Sequence, residues 1–203
     1  MFLDVSSRTR SVRFRGAHGH CFVEGMATIL VPMDFSDCAP TVLDEAVRFA
    51  GAFGADLLLL HANETPRGIP LNALVQRGPG GAARPVSEVL REDAEAHLAP
   101  MVTRAAKAGV RASSRVAFGR IADVILETAS SAGATMIVMG THGRTGLARA
   151  TLGSVAEDVM HHAEVPVVTV RTQHRPGCAS RSCATCDLGR TTVEDLVSAE
   201  DVG

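Results

Sequence analysis

Between residues 26 and 172, short apolar runs alternate with stretches whose apolar residues recur every three to four positions, and this alternation limits the fold more than any other feature. The runs cover 27–33, 55–62, 110–118, 134–139 and 165–171. They are too short for buried helices and read as strands. Strands apolar on both faces must be covered above and below, which means a parallel sheet joined by helical crossovers. The run 110–118 alternates only in part, as a strand at a sheet edge does, and Pro166 near the start of the last run also fits an edge.

The intervening stretches supply the helices. Residues 38–52 place Val42, Leu43, Ala46, Val47, Phe49 and Ala50 on one stripe, with Ser36 or Asp37 as cap, Pro40 in the first turn and Gly54 as the stop. Residues 87–108 form a second helix, which Pro100 is expected to kink or split. A third opens at Gly119 and aligns Ile121, Val124, Ile125, Thr128 and Ala129; a fourth spans 154–163 through Val155, Val159 and Ala163. Residues 63–85, rich in Gly, Pro and Arg, read as a long loop. The expected fold is α/β: a single doubly wound five-stranded parallel sheet, flavodoxin-like or Rossmann-like, with right-handed crossovers and helices on both faces. The strand order expected is 3-2-1-4-5, although periodicity by itself fits 2-1-3-4-5 as well. Either way a ligand belongs at the carboxyl ends of the strands, beside the switch point.

Charge and ring content narrow the ligand. A formal net charge of −2 gathers no nucleic-acid backbone, and seven Phe with no Tyr or Trp provide few stacking rings, so no nucleic-acid partner is expected. Lys107 is the one lysine among 20 basic residues, and its Ala-Ala-Lys-Ala-Gly setting is not a Walker-type phosphate loop. Any phosphate site must use backbone amides and Arg. No stretch of about 18 apolar residues could span a bilayer, and residues 1–25 lack the apolar core of a secretory signal. Five Cys, an odd count, fit a reducing compartment. A cytoplasmic protein without a membrane partner is expected.

The richest segment runs from Gly140 to Ser154, between the end of a buried strand and the start of a helix. Glycines allow close approach of the backbone to a ligand and positive φ. The helix start offers free amides and the positive end of a dipole. Ser154 adds a hydroxyl, and Arg144 and Arg149 add fixed charge that suits phosphate. The plain alternative is a loop punctuated by glycines and closed by a capping serine.

The spacing Gly140-x2-Gly143-x9-Gly153-Ser154 resembles the nucleotide-binding signature of the universal stress protein family. So do the opening from Met26 through Asp34 to Ser36, the Leu59-Leu-His-Ala62 strand end, Ile137-Val-Met-Gly140, and the run from Val165 to Val170, five segments in order. The resemblance implies ATP as ligand, with or without Mg2+, and a homodimer paired through the last strand, 165–171. It also implies that Asp34 holds the ribose, that Ala62 meets the adenine, and that the loop glycines and the Gly153-Ser154 turn wrap the phosphates. The candidate contacts are Pro32, Asp34, Ser36, Ala62, Met139, Gly140, Gly143, Arg144, Gly153, Ser154 and Val155. The function expected is that of a stress-response regulator acting on a further protein partner. The alternatives are a slow ATPase and a nucleotide-independent dimeric scaffold.

Three zones are expected: an N-terminal extension, 1–25, and a Cys-containing tail, 173–203, both disordered, around a nucleotide-binding domain at 26–172. His142 in the loop reads as a phosphate contact or a solvent-facing residue, and His161 and His162 suit the negative end of the last helix. His174, Cys178, Cys183 and Cys186 carry zinc-like ligand types, but the tail offers little core to hold a site, so no metal is assigned. Cys21 and Cys38 read as simple thiols.

Overall fold

The computed structural model describes residues 27–36, 38–64, 69–76, 82–141 and 153–171. The first strand, β1 (Thr28–Pro32), is followed by helix α1 (Ala39–Phe53) and strand β2 (Asp56–Asn63). Two three-residue strands come next, β3 (Leu74–Gln76) and β4 (Ala83–Pro85), then helix α2 (Val86–Lys107), β5 (Ala112–Phe118) and α3 (Ile121–Ser131). Strand β6 (Ala134–Gly140), helix α4 (Ser154–His162) and β7 (Val167–Val170) complete the described elements.

The main sheet has five strands in the order β5-β2-β1-β6-β7, every pair parallel. In strand numbering that counts only this sheet, the order is 3-2-1-4-5. The reason is visible in the register. Leu57–Leu60 of β2 are buried, so β2 must have a neighbour on each side and a helix layer on each face, as must Ile29, Leu30 and Val31 of β1. Odd-numbered residues Ile29, Val31, Leu57 and Leu59 pack under α1 and α2, with Val42, Leu43, Ala46 and Leu98. Even-numbered residues Leu30, Leu58 and Leu60 pack with Ala122, Ile125 and Val159 of α3 and α4 on the opposite face. Such side chains each contribute roughly 1.5–3 kcal/mol by leaving water.

Three expectations change. The 63–85 stretch contains the antiparallel β3–β4 pair, whose Val75 packs on Val86 and Val89 at the start of α2 in a small separate core. Helix α2 runs as one element across Pro100, so of the two expected effects the proline does not split it. The ring removes the amide that would have served the Ala96 carbonyl, and both residues are on the exposed face, where water can take that role. Neither Ser36 nor Asp37 is seen capping α1: its N-cap is Cys38 with no side-chain cap, Ser36 bonds elsewhere, and Asp37 lies outside the described residues. Gly54 does end α1, in the left-handed conformation (φ 65°) with its amide on the Ala50 carbonyl.

Candidate functional site

The chain turns back at the seam between β1 and β6: β1 leads leftward to β2 and β5, whereas β6 and β7 lie to the other side. The register there pairs Leu30 with Ile137, so two residues further on Pro32 comes level with Met139. Connections leave β1 and β6 toward opposite faces of the sheet at this point, which opens a crevice.

On the β1 side stands Asp34, half-buried. Its Oδ1 accepts the Ser36 amide at 3.1 Å and the Ser36 hydroxyl at 2.8 Å. The serine thus fixes the carboxylate rather than a helix end, and no other described residue pairs with Oδ2. Between them Phe35 has φ 57°, the one positive φ among described non-glycine residues. Its ring is buried and stacks on His61 of β2, centroids 4.1 Å apart and planes inclined by 21°. His61 is itself 6% exposed, and its Nδ1 lies 2.7 Å from the Met33 carbonyl. A carbonyl only accepts, so Nδ1 carries the proton.

At the end of β2, Ala62 is half-buried and points to the face opposite His61, and Asn63 follows with its Oδ1 3.2 Å from His61 Nε2. The Asn63 carbonyl accepts the Gly119 amide at 2.9 Å, tying the end of β2 to the end of β5. Gly119 has φ 150°, and a Cβ there would meet Val124 Cγ2 at 3.0 Å, so glycine is required for the tight entry into α3.

On the β6 side, Met139 is buried and Gly140 ends the strand, paired with Val170. Thr141 donates its amide to the Val170 carbonyl and accepts the Gly153 amide at 2.9 Å, so the start of α4 is anchored to the end of β6. Gly153 is the N-cap of α4, with φ −63° and ψ 145°, angles any residue adopts; its use is not left-handed freedom. Without a side chain, Gly153 leaves the first turn of α4 uncapped. Ser154 is the first helical residue, exposed, and not the capping serine of the plain alternative. Val155 is half-buried against the α3–α4 core. The amides of Ser154, Val155 and Ala156 precede the first intrahelical bond, Glu157 to Gly153, and have no backbone partner among the described residues.

The α4 start is braced from α3. Arg120 bonds Asp123 at 2.6 Å and Asp158 of α4 at 2.6 Å. These partners raise the Arg120 guanidinium further above its ordinary range, first through the hydrogen bond to Asp123 and then through that to Asp158. Arg120 in turn holds the Asp123 carboxyl below the usual carboxylate range. Among the described residues no group of three or more His, Cys, Asp or Glu could hold a metal.

The structure therefore gathers Pro32, Asp34, Ser36, Ala62, Met139, Gly140, Gly153, Ser154 and Val155 at one edge of the sheet. Gly143, Arg144, His142 and Arg149 lie outside the described residues, as do both terminal zones with their Cys. Two residues beside the site were not singled out from the sequence: Phe35, which carries no turn signal, and His61, a polar residue inside an otherwise apolar strand, although both lie in segments that carry the family resemblance. No described helix is long and apolar enough to cross a membrane.

Comparison with known proteins gives a concordant result. The model of the universal stress protein family matches residues 26–171. A universal stress protein of Methanocaldococcus jannaschii is 33% identical over 143 residues, which is 70% of this chain and 81% of that protein. The solved structure of a second such protein from the same organism shares the fold, with a TM-score of 0.59 at 24% identity over 73% of this chain and 98% of that one. A universal stress protein solved in complex with cAMP is 25% identical, with a TM-score of 0.52 over 73% of this chain and 98% of its own.

Proposed function

The chain belongs to the universal stress protein family, and from that premise we propose that it binds an adenine nucleotide, ATP, in the crevice between the ends of β1 and β6. The observation that carries this reading is the pairing of two unlike groups across the switch point. A carboxylate held by Ser36, whose second oxygen has no partner among the described residues, lies at the end of β1. An uncapped helix start, tied to Thr141, lies at the end of β6. The first accepts hydroxyl donors and the second takes an anion, and a nucleotide carries ribose hydroxyls and phosphate in that order.

In this reading Asp34 accepts from the ribose, the backbone of Ala62 together with Pro32 lines the adenine, and Ser36 steadies the carboxylate. Met139, Gly140, Gly153, Ser154 and Val155 form the phosphate side, which Gly143 and Arg144 complete. The relative solved with cAMP supports the ligand class, because cAMP unites adenine, ribose and phosphate. Mg2+ enters with the triphosphate and takes its oxygens largely from it, since the described residues offer no cluster of ligands.

The outer edge of β7 supports a homodimer. Val167–Val170 are all half-exposed and uncharged, whereas the opposite edge, β5, shields itself with Ser113, Ser114 and Arg115. The protein acts in this reading as a cytoplasmic stress regulator whose nucleotide state changes contacts with a protein partner. Isothermal calorimetry on the intact protein tests the ligand: saturable heat with ATP is expected, and no heat at millimolar ATP overturns the reading.

A further inference from the structure

We infer that His61 is a positioning residue that sets the Asp34 carboxylate for a ribose diol; the inference rests on the nucleotide reading above. The turn after β1 holds Phe35 at φ 57°, a conformation that a bulky residue keeps only when its surroundings impose it. One imidazole supplies that imposition from both directions. Its Nδ1 donates to the carbonyl of Met33, the residue before Asp34, at 2.7 Å. Its ring face stacks on Phe35, the residue after Asp34, at 4.1 Å. Asp34 is thus slung between two points fixed by the same side chain.

The neighbours leave that side chain little freedom. His97 of α2 lies 5.1 Å from the Phe35 ring, tilted by 33°. The amide of Met33 donates to the Leu60 carbonyl at 2.8 Å, which locks the two backbones together one residue before His61. With the proton on Nδ1, Nε2 of the neutral ring accepts from Asn63 when the amide group of that residue turns its nitrogen toward the ring. Because Ala62 follows His61 directly in β2, the histidine couples the proposed ribose side to the proposed adenine side through one rigid contact.

A core histidine that only filled space would, when replaced, weaken all ligands alike. A positioning histidine makes a sharper demand: its loss should erase the preference for ribose hydroxyls and spare phosphate binding. The probe is the ratio of the Kd for 2′,3′-dideoxy-ATP to that for ATP, read by calorimetry on the full chain. Wild type should prefer ATP roughly tenfold or more, the span of a hydrogen bond to a charged group. Asp34→Ala should bring the ratio near one, and so should His61→Leu. His61→Asn, which places an amide nitrogen near the Nδ1 position, should restore much of it.

If wild type shows no preference, the nucleotide reading itself fails. If wild type and Asp34→Ala behave as stated while His61→Leu keeps the full ratio, the positioning role alone is overturned. Should His61→Leu not fold, Phe35→Gly carries the same test, because glycine accepts φ 57° without strain but abolishes the stack. A lowered ratio is then expected, and an unchanged one overturns the inference.

Discussion

Replacing Ser154 by proline should weaken phosphate binding without harming the fold. Ser154 is the first residue of α4, exposed, and its amide has no partner among the described residues. Proline is favoured at the first helical position because the amide it lacks is an orphan there. The residue before a proline must be extended, and Gly153 already is, at φ −63° and ψ 145°. Urea unfolding of Ser154→Pro should therefore match wild type to within about 0.5 kcal/mol, the usual spread for a surface change. If the amide donates to a phosphate oxygen, its loss removes one hydrogen bond to a charged acceptor, about 1.5–3 kcal/mol. That weakens ATP roughly 10- to 150-fold. Adenosine, which has no phosphate, should bind as before. Ser154→Ala separates the hydroxyl from the amide and should cost less. Calorimetry with ATP and adenosine on the three proteins gives the answer. Equal ATP affinity in Ser154→Pro and Ser154→Ala refutes the reasoning that α4 receives the phosphates.

Further outcomes follow from the same geometry. In β7 the carbonyls of Pro166 and Val170 accept from β6, so the alternation turns Thr169 toward the outer edge. Thr169→Pro should weaken a twofold edge-paired dimer by about 2 kcal/mol, two lost bonds or roughly 30-fold in Kd, in sedimentation equilibrium, with an unchanged circular dichroism spectrum. Gly119→Ala should lower stability by about 1–3 kcal/mol in urea, from the backbone region alone, with the 3.0 Å contact to Val124 adding to it. The Asp123 carboxyl is depressed in the folded state, so its contribution to stability is present above the ordinary carboxylate range and fades as pH falls through the depressed value. Carbon NMR titration should place its midpoint below that of an ordinary Asp, and Arg120→Ala should return it to the ordinary range.

Much of the fold was legible because buried parallel strands leave a strong mark. The four leucines Leu57–Leu60 admit no wet face, and this fixed β2 as interior before any coordinates. Strand order was less legible, since periodicity is silent on which strands are neighbours. The β3–β4 pair escaped because three residues a side, with Pro85 among them, show no period. Around the crevice, residue types announced the proposed phosphate side, where glycine, serine and a helix start coincide. The β1 side was half legible. Ser36 read as a potential helix cap and Asp34 as a ribose contact only through the family resemblance, and neither reading showed that the serine bonds the carboxylate. The left-handed Phe35 was invisible, because an aromatic residue is the last type local chemistry would place there, and a contact from His61, 26 positions away, imposes it.

The central claim is tested most directly by titrating ATP into isotopically labelled protein and following backbone amide shifts. Saturable changes are expected to concentrate at Asp34, Ala62, Gly140, Ser154 and Val155, at the carboxyl edge of the sheet, while Thr28, Asp56 and Ala134 at the opposite edge stay in place. Shifts clustered at that opposite edge, or none that saturate, would contradict the account.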